Sequence, residues 1–287
     1  MSARLPFALL DVFTSTPLEG NGLAVVHDAD GVDERTMLRF AKEMRLSETT
    51  FVQRSSERGA DYRNRIWTIH REIPFAGHPS LGTAVAVARW RGERDVCYVQ
   101  ETGAGLQPIE VEVAGDHAHA SMLQAPASFA DEVDAGALMA ALGLAARDAD
   151  RDLAPQIVST GLPVLIAPVA GEEAVARATP DFSALARVLP DGAHNVYVVD
   201  CSSGGEGARA RMFSEFVEGG EDPATGSAAG PLCAYLSRYA GRRRVEITQG
   251  VEMGRPSRLL AEHGEDGVRV AGDVVCVVEG TVRLPAD

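Results

Sequence analysis

The sequence is poor in cysteine, and this scarcity excludes several classes of site. Its four cysteines are scattered through 287 residues without a C-x-x-C pair, at Cys97, Cys201, Cys233 and Cys276. This spacing is not a zinc pattern and is too sparse for a disulfide framework. We interpret the cysteines as ordinary buried or half-buried thiols and expect no metal site.

Long apolar runs and excess positive charge are also lacking. No apolar stretch approaches the roughly 20 residues that a membrane-spanning helix needs, and the N-terminal segment lacks a signal-peptide layout, so we expect a cytoplasmic protein. The net charge of −14 argues against nucleic acid or an anionic membrane as the main partner. The sequence carries no phosphate-binding loop or dinucleotide fingerprint, and no cofactor is expected.

Two similar turn sequences stand out along the chain. Residues 77–84 read GHPSLGTA and residues 221–228 read EDPATGSA, which places His78 opposite Asp222. Strand-like segments precede each turn in the same order, with TTFV and RIWT before the first and NVYV and RMFS before the second. This order-preserving similarity predicts a duplicated α/β unit.

Each turn is predicted to lead into the N-terminus of a helix. The free N–H groups and the dipole of a helix N-terminus attract an anion, and Gly77 and Gly226 would let the backbone approach a ligand. Ser227 would add a hydroxyl donor. A pair of helix caps without any ligand is the alternative. In a duplicated fold we expect the two helix ends to face one cleft, with a small carboxylate held between His78 and Asp222.

The division of the chain follows from its composition and its hydrophobic pattern. A Pro/Ala/Asp-rich interval at residues 124–134 marks the join, which gives an N-terminal α/β half over 1–125 and a C-terminal half over 126–287. The final strands of the second half are expected to be able to cross back to the first. Asp33 is expected to cap a helix over residues 34–45.

Five segments resemble the phenazine-biosynthesis PhzF-like family. They read DVFTSTPLEGNGLAVV, LSETTFV, IPFAGHPSLGTA, EDPATGSAAGPL and QGVEMGRPS. The resemblance implies the α+β diaminopimelate epimerase fold, in which two pseudo-symmetric domains each wrap a sheet around a central helix and the active site lies in the cleft between them. It also implies a homodimer. Gly22 departs from the proline that commonly follows "GN" in the family.

The resemblance implies the function as well. It indicates a cofactor-independent isomerase of a small cyclic amino-hydroxy acid, with trans-2,3-dihydro-3-hydroxyanthranilate as the expected substrate. Glu48 would be the general acid/base, because a single carboxylate can remove a proton from one carbon and return it to another. His78 and Asp222 would manage charge, and Gly77, Gly226 and Ser227 would bind the substrate.

Purely structural roles for the same residues, and other functions of the chain, stay open at this point. Glu48 could be a solvated acid at a strand start, His78 a structural histidine and Asp222 a helix cap. The chain could also be an isomerase or epimerase of another amino or hydroxy acid, or a non-catalytic binding member of the fold. Neither turn contains a thiol, which excludes the two-cysteine racemase mechanism of the related epimerases.

Overall fold

A computed structural model describes residues 2–190, 193–202 and 204–285. The chain forms two compact units: the first comprises the residues up to Met122 together with those from Ala271 onward, and the second is Leu123–Val270. The boundary at 122/123 lies close to the predicted join at 125/126. The last long strand returns to the first unit, where it pairs antiparallel with the first strand of the chain.

The first unit contains one short outer helix, one long inner helix and a set of mainly antiparallel strands. Its elements in chain order are β1 (Ser2–Val12), β2 (Asn21–Val26), α1 (Glu34–Met44), β3 (Glu48–Gln53), β4 (Tyr62–Trp67), β5 (Glu72–Ile73), α2 (Gly77–Arg91), β6 (Asp95–Thr102), β7 (Gly105–Ala114) and β8 (His117–Leu123). The predicted cap of α1 is confirmed, since the Asp33 side chain accepts a hydrogen bond from the Thr36 N–H.

The second unit has the same kind of composition, with three short outer helices and one long inner helix among its described residues. Its elements are β9 (Ser128–Glu132), α3 (Ala135–Ala141), β10 (Gln156–Ser159), β11 (Pro163–Pro168), α4 (Glu172–Arg177), α5 (Phe182–Val188), β12 (Asn195–Asp200), β13 (Gly207–Ser214), β14 (Glu221–Asp222), α6 (Gly226–Ala240), β15 (Arg244–Gln249) and β16 (Ser257–His263), followed by the start of β17 (Val268–Pro285).

The two long helices, α2 and α6, are the central elements of their units. Every residue of α2 from Gly77 to Ala88 is buried, and so is nearly all of α6 from Gly226 to Leu236. A helix that is apolar all round must be surrounded by other elements. The strands β1, β2, β3, β4, β6 and β7 contact α2, and β10, β11, β15 and β16 contact α6. Each unit therefore has a sheet wrapped around a central helix, as predicted.

Strand pairing shows that the two units are copies of one topology. In the first unit, β1–β2, β3–β4, β4–β5 and β6–β7 are antiparallel, whereas β2–β3 and β4–β6 are parallel. In the second unit, β10–β11, β12–β13, β13–β14 and β15–β16 are antiparallel, whereas β11–β12 and β13–β15 are parallel. The predicted duplication is confirmed at the level of the fold.

The register of the repeat differs from the one read in the sequence. Helix α2 begins at Gly77 and helix α6 at Gly226, an offset of 149 residues, whereas the match of His78 with Asp222 implies 144. In structural register the second helical residue is His78 in one unit and Ser227 in the other. The pairing of His78 with Asp222 is therefore wrong.

Strand register explains this correction. Ile73 of β5 pairs with Ile66, and Asp222 of β14 pairs with Met212, so the counterpart of Asp222 is Ile73. The neighbouring ion pairs agree, because Arg65 donates to Glu72 at 2.7 Å and its counterpart Arg211 donates to Glu221 at 2.8 Å. The short sequence match had aligned small residues that recur within each turn, whereas the strand pairs fix the true correspondence.

Each unit also has an outer core between its sheet and its outer helices. In the first unit this core contains Met37, Phe51 and Trp67. In the second it contains Leu138, Leu185 and Phe213. Both faces of each sheet are therefore covered, which is why the strands are rich in fully buried side chains. Among the described residues, no helix is long and apolar enough to cross a membrane.

Candidate active site

The first unit brings Glu48 and His78 into contact. Glu48 begins β3, where it pairs with Leu23 of the parallel strand β2. His78 is the second residue of the central helix α2. Glu48 Oε2 lies 3.4 Å from His78 Nε2, and the two side chains are 16% and 5% exposed. The sequence placed these residues in one site, and the structure shows that they are neighbours.

The imidazole of His78 is neutral. Burial lowers the pKa of His78 to about 3, and a hydrogen bond with the Gly22 backbone offsets only part of this effect. The contact with Glu48 is therefore not an ion pair at neutral pH. Gly22, the departure from the family pattern, lies within the buried strand β2 and contributes through its main chain.

Asn21 orients the imidazole from the other side. Its Nδ2 lies 3.3 Å from His78 Nδ1. The Asn21 amide can donate to Nδ1 only in the tautomer that carries the ring proton on Nε2. Nε2 is buried and makes no hydrogen bond of good geometry with the described residues. His78 Nε2 therefore lies beside the Glu48 carboxylate without being aligned to it.

The second unit holds Asp222 in a separate hydrogen-bonded group. Asp222 ends β14 and is buried, with 7% exposure. The Thr225 hydroxyl donates to Asp222 Oδ2 at 2.5 Å. Gln249 Nε2 donates to the main-chain carbonyl of Asp222 at 2.8 Å. The residue-by-residue prediction missed both partners, although Gln249 opens the motif QGVEMGRPS and the Thr225 hydroxyl is in EDPATGSA.

The starts of α2 and α6 are both suited to an anion. The first N–H groups of a helix have no partner within the helix, and the helix dipole makes this end positive. The N-cap residues, Ala76 and Thr225, supply no side-chain cap, because Ala76 has no polar side chain and the Thr225 hydroxyl donates to Asp222. These helix ends therefore do not match the interpretation of Asp222 as a simple cap.

The predicted substrate-binding residues lie at these helix starts. Gly77 and Gly226 are the first residues of α2 and α6 and are buried, and Ser227 is half-buried beside Gly226. Gln124 Nε2 donates to the Gly226 carbonyl at 2.9 Å, which fixes the first turn of α6. The structure thus groups Glu48, His78 and Gly77 in the first unit and Asp222, Gly226 and Ser227 in the second. Among the described residues, no group of His, Cys, Asp or Glu is arranged to hold a metal ion.

The duplication leaves the ionisable residues asymmetric. Thr49 pairs with Trp67 and Val196 pairs with Phe213, so the counterpart of Glu48 is Asn195. The counterpart of His78 is Ser227. The two copies thus kept the helix-start geometry and differ at the positions where a proton could be accepted or donated.

Comparison with known proteins agrees with this architecture. Residues 10–280 match the family model for phenazine biosynthesis-like proteins, PhzC-PhzF. A trans-2,3-dihydro-3-hydroxyanthranilate isomerase from Pseudomonas aeruginosa is 39% identical over 97% of this chain and 99% of its own length. The solved structure of a predicted epimerase from P. aeruginosa has a TM-score of 0.84 at 35% identity, covering 97% of this chain and 99% of the other.

A more distant structure shows how widely the fold is shared. A hydroxyproline epimerase from Agrobacterium vitis has a TM-score of 0.64 at 13% identity, covering 99% of this chain and 92% of the other. This likeness concerns the fold alone. The family match spans most of the chain, and the chain belongs to the PhzC-PhzF family of phenazine biosynthesis-like proteins, with the epimerase-like fold and with relatives named as isomerases.

Proposed function

We propose that the protein is a cofactor-independent isomerase that moves a proton within a small cyclic amino-hydroxy acid, trans-2,3-dihydro-3-hydroxyanthranilate. One observation carries the proposal: the Glu48 carboxylate stands 3.4 Å from a buried, neutral His78 at the start of the central helix. The identity of 39% with an isomerase named for this substrate supports the same reaction.

Glu48 is the proposed proton carrier. The reaction requires a group that removes a proton from one carbon and returns it to another, with no net gain or loss of electrons. A carboxylate that is largely shielded from water is suited to this task, because it is not solvated by bulk water and is held at a fixed place. The side chain of Glu48 is 16% exposed, which leaves a path for substrate.

His78 is the proposed hydrogen-bonding partner of Glu48 and the substrate. Its burial keeps the ring neutral, so it contributes a directed N–H and no net positive charge. A neutral imidazole can polarise a substrate oxygen without forming an ion pair that would hold the Glu48 carboxylate in place.

The carboxylate of the substrate is assigned to the helix starts. Gly77 and Gly226 would allow the main chain to approach closely, and the local N–H groups would offset the repulsion expected from a net charge of −14. We assign Asp222 and Ser227 to substrate binding as well, with Asp222 managing the charge of the amino group and Ser227 donating a hydrogen bond.

The test is incubation of the purified protein with this substrate in deuterated water, without any added cofactor. The proposal expects consumption of the substrate, a change in its absorbance spectrum and a product of isomeric mass, with deuterium at carbon wherever the carried proton exchanges with solvent. Unchanged substrate at high protein concentration would reject the assignment.

A second candidate is the isomerisation or epimerisation of another amino or hydroxy acid. It is favoured by the neighbour with a TM-score of 0.84, which is described only as a predicted epimerase. Parallel incubations with a panel of cyclic amino and hydroxy acids separate the candidates, because the second one expects turnover of a panel member and none of the first substrate. No turnover and no binding of any panel member would leave the non-catalytic alternative.

A further inference from the structure

The motif QGVEMGRPS, residues 249–257, has no role in the proposed chemistry, yet it packs against the turn that carries Asp222. Gly250 adopts φ +76°, and a Cβ there would lie 2.5 Å from the Pro223 carbonyl oxygen. The Ser257 hydroxyl donates to the same oxygen at 3.1 Å. Both ends of the motif therefore close on the residue that follows Asp222, and only glycine fits at position 250.

Gln249, the first residue of the motif, is fully buried. Its side-chain amide makes four hydrogen bonds, two at the oxygen and two at the nitrogen. Its Oε1 accepts from the Tyr197 hydroxyl at 2.9 Å and from the Thr225 N–H at 3.2 Å. Its Nε2 donates to the Asp222 carbonyl at 2.8 Å and to Thr225 Oγ1 at 3.1 Å. A main-chain N–H can only donate and a main-chain carbonyl can only accept, so the amide has one possible orientation.

This orientation sets the direction of the hydroxyl hydrogen of Thr225. Because Thr225 Oγ1 accepts from Gln249, its own hydrogen is directed to Asp222 Oδ2, which lies 2.5 Å away. The chain of donors thus runs from Tyr197 through Gln249 and Thr225 and ends on the carboxylate. A reversal of any link would leave a buried donor or acceptor unpaired, which destabilises the fold.

We infer that Gln249 is the positioning residue for Asp222, acting through Thr225. It fixes the main chain of Asp222, directs a hydroxyl to its carboxylate and holds the N–H of the N-cap residue of α6. The inference rests on the proposed function only in assuming that Asp222 contacts the substrate. The role of the motif at residues 249–257 is then to hold the turn that carries Asp222 in one geometry.

Four variants separate positioning from simple loss of stability. Gln249→Met keeps the approximate shape and removes all four hydrogen bonds. Thr225→Val removes the hydroxyl that reaches Asp222, and Thr225→Ser retains it. Gln100→Met is the matched control, because Gln100 is also fully buried and bonds Tyr62, Asn64 and Gln107, none of which is a proposed site residue.

The readouts are Tm, kcat and KM for the proposed substrate, measured well below the lowest Tm. Misplacing a group by about 1 Å can reduce turnover roughly 100-fold. We therefore expect Gln249→Met and Thr225→Val to lose roughly 10- to 100-fold in kcat with a smaller change in KM, and Thr225→Ser to recover most of this loss. Gln100→Met is expected to lower Tm and to keep kcat. If Gln249→Met lowers only Tm, as Gln100→Met does, the inference is wrong.

A crystallographic arm keeps the inference separate from the proposed function. If the wild-type protein turns over none of the substrates tested, the proposed function fails, and the crystal structures of wild type, Thr225→Val and Gln249→Met decide about positioning. We expect the Asp222 carboxylate to leave its wild-type rotamer or to shift by about 1 Å in both variants. An unmoved carboxylate in both would overturn the inference.

Discussion

Glu48 Oε2 and His78 Nε2 stand 3.4 Å apart in the first unit, and the imidazole that faces this carboxylate is neutral. Their closeness is fixed by the fold, because Glu48 begins a strand packed on the central helix and His78 is the second residue of that helix. An electrostatic attraction is not needed to bring them together. The pair is thus a carboxylate beside a neutral imidazole, and no ion pair stabilises the contact.

Buried histidines make stability depend on pH. Burial lowers the pKa of His78 to about 3 and that of His27 to about 4, both below the ordinary 6.5. The unfolded chain therefore takes up protons first as the pH falls below 6.5, so these groups destabilise the fold below that pH and have no effect on stability well above it. The free energy of unfolding falls progressively as the pH drops towards the folded-state pKa values, by up to about 1.4 kcal/mol per pH unit for each group.

We predict that His27→Asn lessens the loss of unfolding free energy between pH 7 and pH 5 by about 1–2 kcal/mol. His27 is outside the proposed site, so the test concerns stability alone. Urea denaturation at the two pH values measures the difference, with the exposed His70→Asn as the matched control. An identical pH dependence in wild type and His27→Asn would show that burial does not keep His27 neutral.

Gly82→Ala is predicted to destabilise the first unit. A Cβ at this position of α2 would lie 2.6 Å from Leu23 Cδ2 and 2.8 Å from Val12 Cγ2, and overpacking of this kind costs about 1–3 kcal/mol. The matched control is Gly136→Ala in α3, where the nearest atom would be 3.5 Å away. Alanine has a higher helix propensity than glycine, so at this open position the control substitution should be neutral or stabilising. Thermal melts that give both variants the same Tm would contradict the packing of α2 described above.

Gly226→Val is predicted to weaken the binding of carboxylates while the protein stays folded. The branched side chain would stand beside the first N–H groups of α6 and block close approach of an anion. The probe is 3-hydroxyanthranilate, the aromatic analogue of the proposed substrate, which carries the same carboxylate. We expect its dissociation constant to rise about tenfold or more, which corresponds to about 1.4 kcal/mol. Isothermal titration of Gly226→Val and of the exposed control Gly136→Val measures this change. Wild-type affinity in Gly226→Val would place the anion elsewhere.

The sequence predicted most elements of the fold because their signals are local. The cap at Asp33 begins α1 as expected, and the strand-like segments TTFV and NVYV lie in the strands β3 and β12. The two-residue strands β5 and β14 were missed, because a strand of two residues has no period and exists only through its partner. Their absence from the prediction also removed the evidence for the correct register of the repeat.

The sequence nominated the candidate site residues and only some of the contacts between them. Glu48, His78 and Asp222 came from motif resemblance, and the contact between Glu48 and His78 was not deducible from spacing. The mistaken pairing of His78 with Asp222 came from matching small residues within a single turn, whereas the correspondence is set by strand pairs and helix starts. Gln249 was missed as a site residue because its importance depends on hydrogen bonds to residues 24 to 52 positions away in the chain.

Turnover of Glu48→Gln tests the central claim most directly. Glutamine keeps the size of the side chain and much of its hydrogen bonding near His78 but cannot accept a proton. General acid–base groups contribute about 10²–10⁴-fold to the rate. We therefore predict that kcat falls by a factor of about 10⁴ or more. The variant should still bind 3-hydroxyanthranilate and keep the wild-type Tm. His78→Ala and Asp222→Asn should cost less. Turnover of a folded Glu48→Gln within about tenfold of wild type, below the range for such a group, would remove Glu48 from the mechanism and transfer its role to Asp222.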